Sequence, residues 1–189
     1  DSTIPSGRAY DAWRIPRHTP SEYAALNNAE RLTYFCALAH LAPSTHNSQP
    51  WRFEIDADAS RITLCLDRRA ILAQSDPTGR QAVISLGCAL ENIAIAAMHY
   101  GATLETHFIE HNLPVKPCES SVSDKEAMIP LARLSIGTSL QPTTTHPLFD
   151  QLFTRKTNRA EYDPEARIPA EVCDELQACA APSGIFCTW

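Results

Sequence analysis

Apolar residues recur at helical spacing in two long segments of the chain. The first covers residues 23–42, and Ser21 before it is a suitable N-cap. The second covers residues 76–101, in which Asp76 is the expected cap, Pro77 takes the first helical position and Gly101 ends the helix. Because this second segment is apolar on two faces, we predict that it is the central helix of the fold and is buried on both. The second apolar face consists of Ile84, Cys88, Ile95 and Met98.

Strand-like segments lie between and after these helices. Trp51–Asp56 and Arg61–Asp67 are joined by a turn of acidic and small residues, and the apolar positions of the second alternate clearly. Two further strands are predicted at residues 103–110 and 131–137. Residues 112–129 between them have no period and predict a surface loop.

The two ends of the chain are less regular. Residues 1–20 have no period and predict an extended arm, and residues 139–146 are typical of a linker. A short helix is predicted over residues 147–153, followed by a helix at about Ala170–Ala180 and a strand that begins at Ile185.

Composition is that of a soluble globular protein, with 44% hydrophobic and 20% charged residues in a chain of 189. The net charge of −6 argues against a nucleic-acid partner, since neutralising phosphates needs a basic surface. Seven cysteines with irregular spacing and no Cys-x-x-Cys pair favour reduced thiols over a disulfide framework or a metal site.

Neither a membrane span nor a targeting segment is evident in the sequence. The longest apolar stretch, residues 83–98, is interrupted by Glu91 and Asn92 and is shorter than a bilayer requires. We therefore expect no membrane partner. The chain begins at Asp1 without methionine, so its start does not indicate a location. We take the cytoplasm as the expected location.

The most informative segment joins the end of the first predicted helix to the first strand. Pro43 ends the helix, and Ser44, Thr45, Asn47 and Gln49 then supply uncharged hydrogen-bonding side chains. Such donors and acceptors suit a flat heterocycle with a mixed polar edge, such as a flavin. The alternative is an ordinary loop, because serine, threonine and asparagine after a proline readily bond their own backbone.

A second candidate segment lies more than a hundred residues later. Arg155, Lys156 and Arg159 place three cations beside the Thr157 hydroxyl in an otherwise acidic protein. Guanidinium groups bind phosphate through two parallel hydrogen bonds, and an ammonium group acts as a point charge. The alternative is a solvated basic turn after a helix C-terminus.

Both segments resemble elements of the nitroreductase family. Residues 43–51 are similar to its Pro-Ser-x-x-Asn-x-Gln-Pro-Trp segment, and Arg155, Thr157 and Arg159 match the spacing of its phosphate-binding Arg-x-Ser-x-Arg/Lys element. Asp76, Gly79 and Gly101 resemble positions of its central helix. The resemblance implies an α+β fold, in which a mainly antiparallel sheet is flanked by helices around a buried central helix. It also implies that FMN is bound by Pro43, Ser44, Thr45, Asn47, Arg155, Lys156, Thr157 and Arg159.

The order of the two elements departs from the usual family pattern, in which the phosphate element comes first. Family dimers build each flavin site from the loop of one subunit and the phosphate element of the other. The order seen here resembles the fused, Acg-like branch, in which two halves share one chain. We therefore expect a first half at residues 21–138 and the start of a second, truncated half at residues 147–189. The implied partner is a second copy in a homodimer or the protein's own missing C-terminal half.

The resemblance implies an FMN-dependent oxidoreductase that uses NAD(P)H to reduce small nitroaromatic- or quinone-like acceptors by ping-pong hydride transfer. No acid–base residue is then required, since the flavin carries the chemistry. The absence of Gly-x-Gly-x-x-Gly predicts no separate dinucleotide domain. The alternative function is an FMN-storing or FMN-sequestering protein without turnover. A cysteine hydrolase is disfavoured, because Cys36 lies in an apolar helix stripe and no Gly-x-Ser-x-Gly segment is present.

Overall fold

The computed structural model describes residues 14–111, 114–137, 140, 146–158 and 160–181. The chain divides into two compact units, Asp1–Arg155 and Lys156–Trp189. The predicted strand at Ile185, residues 1–13 of the predicted arm and most of the predicted linker lie outside the described residues.

Residues 20–39 form two helices, α1 (Pro20–Ala25) and α2 (Asn28–Ala39), so the predicted single helix over residues 23–42 is wrong. Leu26 is extended and ends α1. Asn27 then starts α2 through a capping box with Glu30, in which each side chain accepts a hydrogen bond from the other residue's backbone N–H. This box satisfies the N–H groups of Asn27 and Glu30 at the start of α2, and it separates α2 from α1.

The start of α1 also differs from the prediction. Thr19 is the N-cap, and Ser21 lies inside the helix. The Thr19 hydroxyl accepts from the Glu22 N–H, while the Glu22 carboxylate accepts from the Thr19 N–H at 2.7 Å. Pro20 takes the first helical position, where a missing N–H has no cost. The capping box of Thr19 and Glu22 therefore starts the helix two residues before the predicted N-cap, Ser21.

Four antiparallel strands form one sheet in the order β1-β2-β4-β3. Strands β1 (Trp51–Asp56) and β2 (Arg61–Asp67) have the predicted bounds. Strands β3 (Leu104–Phe108) and β4 (Met128–Ile136) lie within a few residues of the predicted ones. With the flanking helices, this sheet confirms the α+β fold class.

The central helix is α3 (Arg80–His99), which begins three residues later than predicted. Gly79, with φ of 69°, is its N-cap, and Pro77 lies in the preceding turn. Asp76 still caps the helix from outside, because its carboxylate accepts from the N–H groups of Gln81 and Ala82 at 3.1 and 2.9 Å.

The C-terminus of α3 ends as predicted. Gly101 adopts φ of 68°, and its N–H bonds the Met98 carbonyl at 3.2 Å. The N–H of Ala102 bonds the Ala97 carbonyl at 2.9 Å, which completes a Schellman motif.

The two apolar faces of α3 are covered to different extents. The first face packs against α2 and the sheet, with Leu86 and Ile93 buried. On the second face Ile84 and Met98 are each 51% exposed, so the prediction that both faces are buried is wrong for this single chain. By length and composition alone α3 is long and apolar enough to cross a membrane, but 56% of its apolar window is buried in the fold, as in the core helix of a soluble protein.

Three more short helices lie in the described part of the chain. The predicted loop over residues 112–129 contains one helical turn, α4 (Asp124–Ala127). The predicted short helix narrows to α5 (Gln151–Thr154), preceded by a turn, and α6 (Ala170–Ala180) has the predicted bounds. The core of the first unit is built from α1, α2, α3, α5 and the sheet, and its largest fully buried side chains are Trp51, Tyr23, Tyr100 and Phe35.

Candidate functional site

The ten residues 41–50, which we call the 41–50 loop, connect α2 to β1 and contain the predicted ring-binding side chains. Residues Thr45–Asn47 form a single 3-10 turn. His46, Asn47 and Gln49 all have positive φ values, of 50°, 56° and 45°. Left-handed conformations of residues other than glycine cost of order 1 kcal/mol each and tend to cluster at functional sites.

Hydrogen bonds within the loop hold this conformation. The Ser44 hydroxyl accepts from the Gln49 N–H, and the Ser44 carbonyl accepts from the Asn47 N–H, both at 3.0 Å. Ser44 therefore does bond its own backbone, as the ordinary-loop alternative expects. Pro43, Ser44 and Thr45 are half-buried, whereas Asn47 is exposed and its amide can reach a ligand.

The base of the loop is closed by a hydrogen bond between its two flanking residues. The indole Nε1–H of Trp51 donates to Nδ1 of His40 at 2.9 Å. The His40 ring also packs edge-on against Phe53, with ring centroids 5.4 Å apart. Burial and the nearby Arg52 charge lower the pKa of His40, so its ring is neutral at pH 7.

A buried carboxylate holds the C-terminal end of the loop. The Asp67 N–H donates to the Pro50 carbonyl at 2.8 Å, and its carboxylate contacts the guanidinium groups of Arg52 at 3.1 Å and Arg69 at 2.9 Å. Burial by itself would raise the pKa of Asp67, but the hydrogen bonds from Arg69 and the charges of both arginines outweigh it and lower the pKa. Arg52 in turn donates to the Trp51 carbonyl at 2.8 Å.

The structure brings Arg155 from the second candidate segment to the start of this loop. Its guanidinium donates to the Leu41 carbonyl at 2.9 Å, across 114 residues of sequence. Its positive charge also acts on the Cys88 thiol of α3, although burial is the larger effect and raises the pKa of that thiol. Arg155 therefore lies where α2, α3 and the 41–50 loop meet.

The segment that carries Arg155 is anchored by aromatic contacts. The Phe149 ring stacks on His99 of α3 with centroids 3.7 Å apart, and Leu152 is buried. On the outside, Arg17 lies 4.5 Å from the centre of the Phe153 ring and 3.7 Å from the Asp150 carboxylate. Residues 146–155 thus pack within the first compact unit.

The remaining predicted phosphate ligands lie after this unit. Lys156 and Thr157 belong to the second unit and are exposed there. Arg159 lies outside the described residues. Of the four predicted phosphate ligands, the structure therefore places Arg155 beside the loop, and the phosphate-binding roles of all four stay predictions.

Sequence reasoning missed the residues that support the loop. His40, Arg52 and Asp67 carry no motif, and their roles come from contacts across strand and helix ends. One signal was available for Asp67, because an aspartate at the end of an apolar strand and close to two arginines in sequence favours an ion pair.

Two other features bear on the chemistry. Among the residues that the structure describes, no group of three histidine, cysteine, aspartate or glutamate side chains could hold a metal ion. A shallow surface cavity is lined by Arg68, His111 and Lys116, with three apolar neighbours, and includes none of the predicted flavin ligands.

Sequence comparisons find relatives in Mycobacterium tuberculosis. An uncharacterized protein of strain H37Rv is 41% identical over 81 residues, which are 41% of this chain and 23% of that protein. A protein named "Putative NAD(P)H nitroreductase acg" is 39% identical over 66 residues, which are 35% of this chain and 19% of that protein. A further protein named a "Putative NAD(P)H nitroreductase" is 34% identical over 82 residues, which are 41% of this chain and 23% of that protein.

The matched part of the chain spans less than a quarter of each of these relatives. No family model matches the chain. Among solved structures, a nitroreductase family protein from Clostridium difficile 630 has a TM-score of 0.44 and 17% identity, covering 82% of this chain and 98% of that one. The sequence relatives confirm the resemblance to the nitroreductase family, over 35% and 41% of this chain.

Proposed function

We propose that the protein is an FMN-dependent oxidoreductase that takes hydride from NAD(P)H and passes it to a small acceptor of the nitroaromatic or quinone class. The position of Arg155 carries this proposal. Two segments separated by more than a hundred residues were each predicted to bind one part of the same mononucleotide, and Arg155 of the later segment donates to Leu41 at the start of the earlier one.

The donor set of the loop fits an isoalloxazine ring. Ser44, Thr45 and Asn47 are uncharged, and Asn47 offers both an amide donor and a carbonyl acceptor from an exposed position. A strained, internally bonded loop of this kind is prepared for a ligand before the ligand arrives.

The phosphate group of FMN fits the cations of the later segment. Arg155 is held beside the loop, and Lys156, Thr157 and Arg159 follow it directly in sequence. Guanidinium and ammonium groups neutralise a phosphate and fix its position. These residues would bind and orient FMN, and FMN would supply the hydride-transfer chemistry through its ring.

A second body of protein is expected to complete the site. Ile84 and Met98 leave one apolar face of α3 open in the single chain. The same 81 residues are 41% of this chain but 23% of the matched relative, so that relative is nearly twice as long. We infer that either a second copy of the protein or a C-terminal half covers the site, and that residues 147–189 are the start of that half. We also infer that the protein acts in the cytoplasm.

The test begins with the absorption spectrum of the purified protein after FMN is added and unbound FMN is removed. NADH or NADPH is then added without oxygen. A reductase loses the flavin absorbance within seconds to minutes and regains it when a quinone is supplied. Full flavin occupancy without any loss of absorbance would contradict the reductase and support an FMN-storing protein instead. The absence of bound flavin would contradict both functions.

A further inference from the structure

We propose that His40 is a positioning residue for the 41–50 loop, whose two ends it joins by accepting the Trp51 indole hydrogen bond, and that flavin affinity therefore falls when His40 is protonated. This inference rests on the proposed FMN-binding function. It adds a residue that neither sequence motif includes.

The geometry of the bond determines the state of the His40 ring. Trp51 is fully buried, and its indole N–H can only donate. The donor lies 2.9 Å from Nδ1 of His40, so Nδ1 must have an available lone pair and the proton of the neutral ring must be on Nε2. A buried indole N–H without an acceptor would cost about 1–3 kcal/mol.

The two bonded residues occupy the two ends of the loop. His40 is the C-cap of α2, and Trp51 is the first residue of β1. Their hydrogen bond therefore closes the ten residues between them. The edge-on contact of the His40 ring with Phe53, at 5.4 Å, adds a second attachment to the same strand.

The charges near this bond oppose a proton on His40. On β1, Arg52 acts on the ring directly, although its charge is shared with the Asp67 carboxylate. From the α5 side, Arg155 binds the carbonyl of Leu41, the next residue. On α3, the charge of Arg155 acts on the Cys88 thiol, which is uncharged at neutral pH because burial raises its pKa. Asp67 is the anion near this bond, and its charge is offset by Arg52 and Arg69.

The sign of the pH effect follows from these contacts. Burial and Arg52 hold the pKa of His40 below its ordinary value of 6.5 in the folded protein. Above that ordinary value the ring is neutral in both folded and unfolded chains, and the His40–Trp51 hydrogen bond contributes fully to the stability of the folded loop. As the pH falls below 6.5 the contribution declines, and it is lost when His40 itself is protonated, since an imidazolium Nδ1–H cannot accept the indole proton.

The test compares FMN dissociation constants at pH 7.5 and pH 5.5 for the wild-type protein and His40→Asn. An asparagine oxygen can replace Nδ1 as an acceptor, but it does not titrate. The FMN phosphate itself titrates near pH 6, so part of any change is common to both proteins and cancels in the ratio. We expect the wild-type protein to lose more affinity than His40→Asn between the two pH values, by at most about tenfold, because the pKa of His40 in the folded protein lies below 6.5. His107→Asn, at an exposed position of β3, is the matched control and should behave like the wild-type protein.

A parallel loss of affinity in the wild-type protein and His40→Asn would overturn the role of His40 while leaving FMN binding intact. A wild-type protein that binds no FMN at either pH would overturn the proposed function instead. In that case, and if His40→Asn does not fold, solvent exchange of the Trp51 indole proton in the wild-type protein tests whether His40 and Trp51 form the hydrogen bond that joins the ends of the loop. Protection at pH 7.5 that is lost at pH 5.5 supports it, and an indole proton that exchanges freely at both pH values contradicts it. Trp51→Phe assigns the resonance.

Discussion

The 41–50 loop and the 155–159 segment are the two halves of one proposed site, and the protein holds them in different ways. Three sets of hydrogen bonds hold the loop: those within it, the His40–Trp51 bond at its base and the bond of the Asp67 N–H to Pro50 at its end. The later segment is fixed at Arg155, whose anchor is the packing of Phe149 and Leu152 on the core.

The loop is therefore ordered before a ligand binds, whereas the residues after Arg155 can adjust when it binds. A loop with three left-handed residues and internal bonds has lost most of its conformational entropy before a ligand binds. Lys156 is instead exposed, and its ammonium group can move to meet a phosphate as it arrives. We therefore expect substitutions around the loop to affect stability as well as binding, and substitutions in the later segment to affect mainly binding.

The largest expected effect is on stability and comes from Asp67→Asn. This substitution removes a buried carboxylate that pairs with Arg52 and Arg69, and we expect the free energy of unfolding to fall by about 2–3 kcal/mol in urea titrations. Asp56→Asn is the matched control, since Asp56 is also a strand-end aspartate paired with an arginine but its side chain is 45% exposed, and the substitution should lower stability much less.

The same substitution has a defined pH dependence. Because the pKa of Asp67 is lowered in the folded protein, its carboxylate contributes stability above its ordinary value of 3.8, and this contribution is lost as the pH falls through the lowered folded value. The stability difference between the wild-type protein and Asp67→Asn should therefore shrink below about pH 4. A difference that stays constant down to pH 2 would show that Asp67 acts through packing alone.

Next in size is the loss of FMN affinity on removing the phosphate cations. Arg155→Ala and Arg159→Ala should each weaken FMN binding by about 1.5–3 kcal/mol, the range for a charged hydrogen bond, as measured by quenching of flavin fluorescence. Arg167→Ala, which removes an exposed arginine of the second unit, is the control and should leave affinity unchanged. Unchanged FMN affinity in the Arg155→Ala/Arg159→Ala double variant would remove the phosphate assignment.

The smallest expected effect comes from Asn47, where two substitutions distinguish the contribution of the side-chain amide from that of the left-handed backbone. Asn47→Ala should weaken FMN binding by about 1 kcal/mol through the lost amide and, because φ is 56°, should also lower stability by about 1 kcal/mol. Asn47→Gly removes the same amide but tolerates the left-handed backbone, so it should weaken binding without lowering stability. Equal stability of the two variants would show that the loop is not strained at this position.

Sequence patterns predicted the strands β1 and β2 and the helix α6 with their bounds, because alternation and helical periodicity are local signals. They failed between α1 and α2, where two capping boxes decide the boundaries and apolar spacing continues through the break. They also predicted a second covered face on α3, because periodicity shows that a face is apolar and does not show what covers it.

For the candidate site the limit is different. The loop and Arg155 are candidates because short motifs contain them, and their role in flavin binding stays a prediction. The supporting residues could not be predicted, because the contacts of His40 with Trp51 and of Asp67 with Arg52 depend on strand and helix ends meeting in space. The convergence of Leu41 and Arg155 is likewise a property of the fold, and it is the finding that most favours one ligand for both segments.

The central claim is that the 41–50 loop holds the rings and the Arg155 segment holds the phosphate of one FMN. Dissociation constants of FMN and of riboflavin, which lacks the phosphate, test it most directly when both are measured for the wild-type protein and Arg155→Ala. We predict that the wild-type protein prefers FMN and that Arg155→Ala loses most of this preference while its riboflavin affinity stays within about twofold. An equal loss of affinity for both ligands in Arg155→Ala would contradict the claim, since Arg155 would then serve only to hold Leu41.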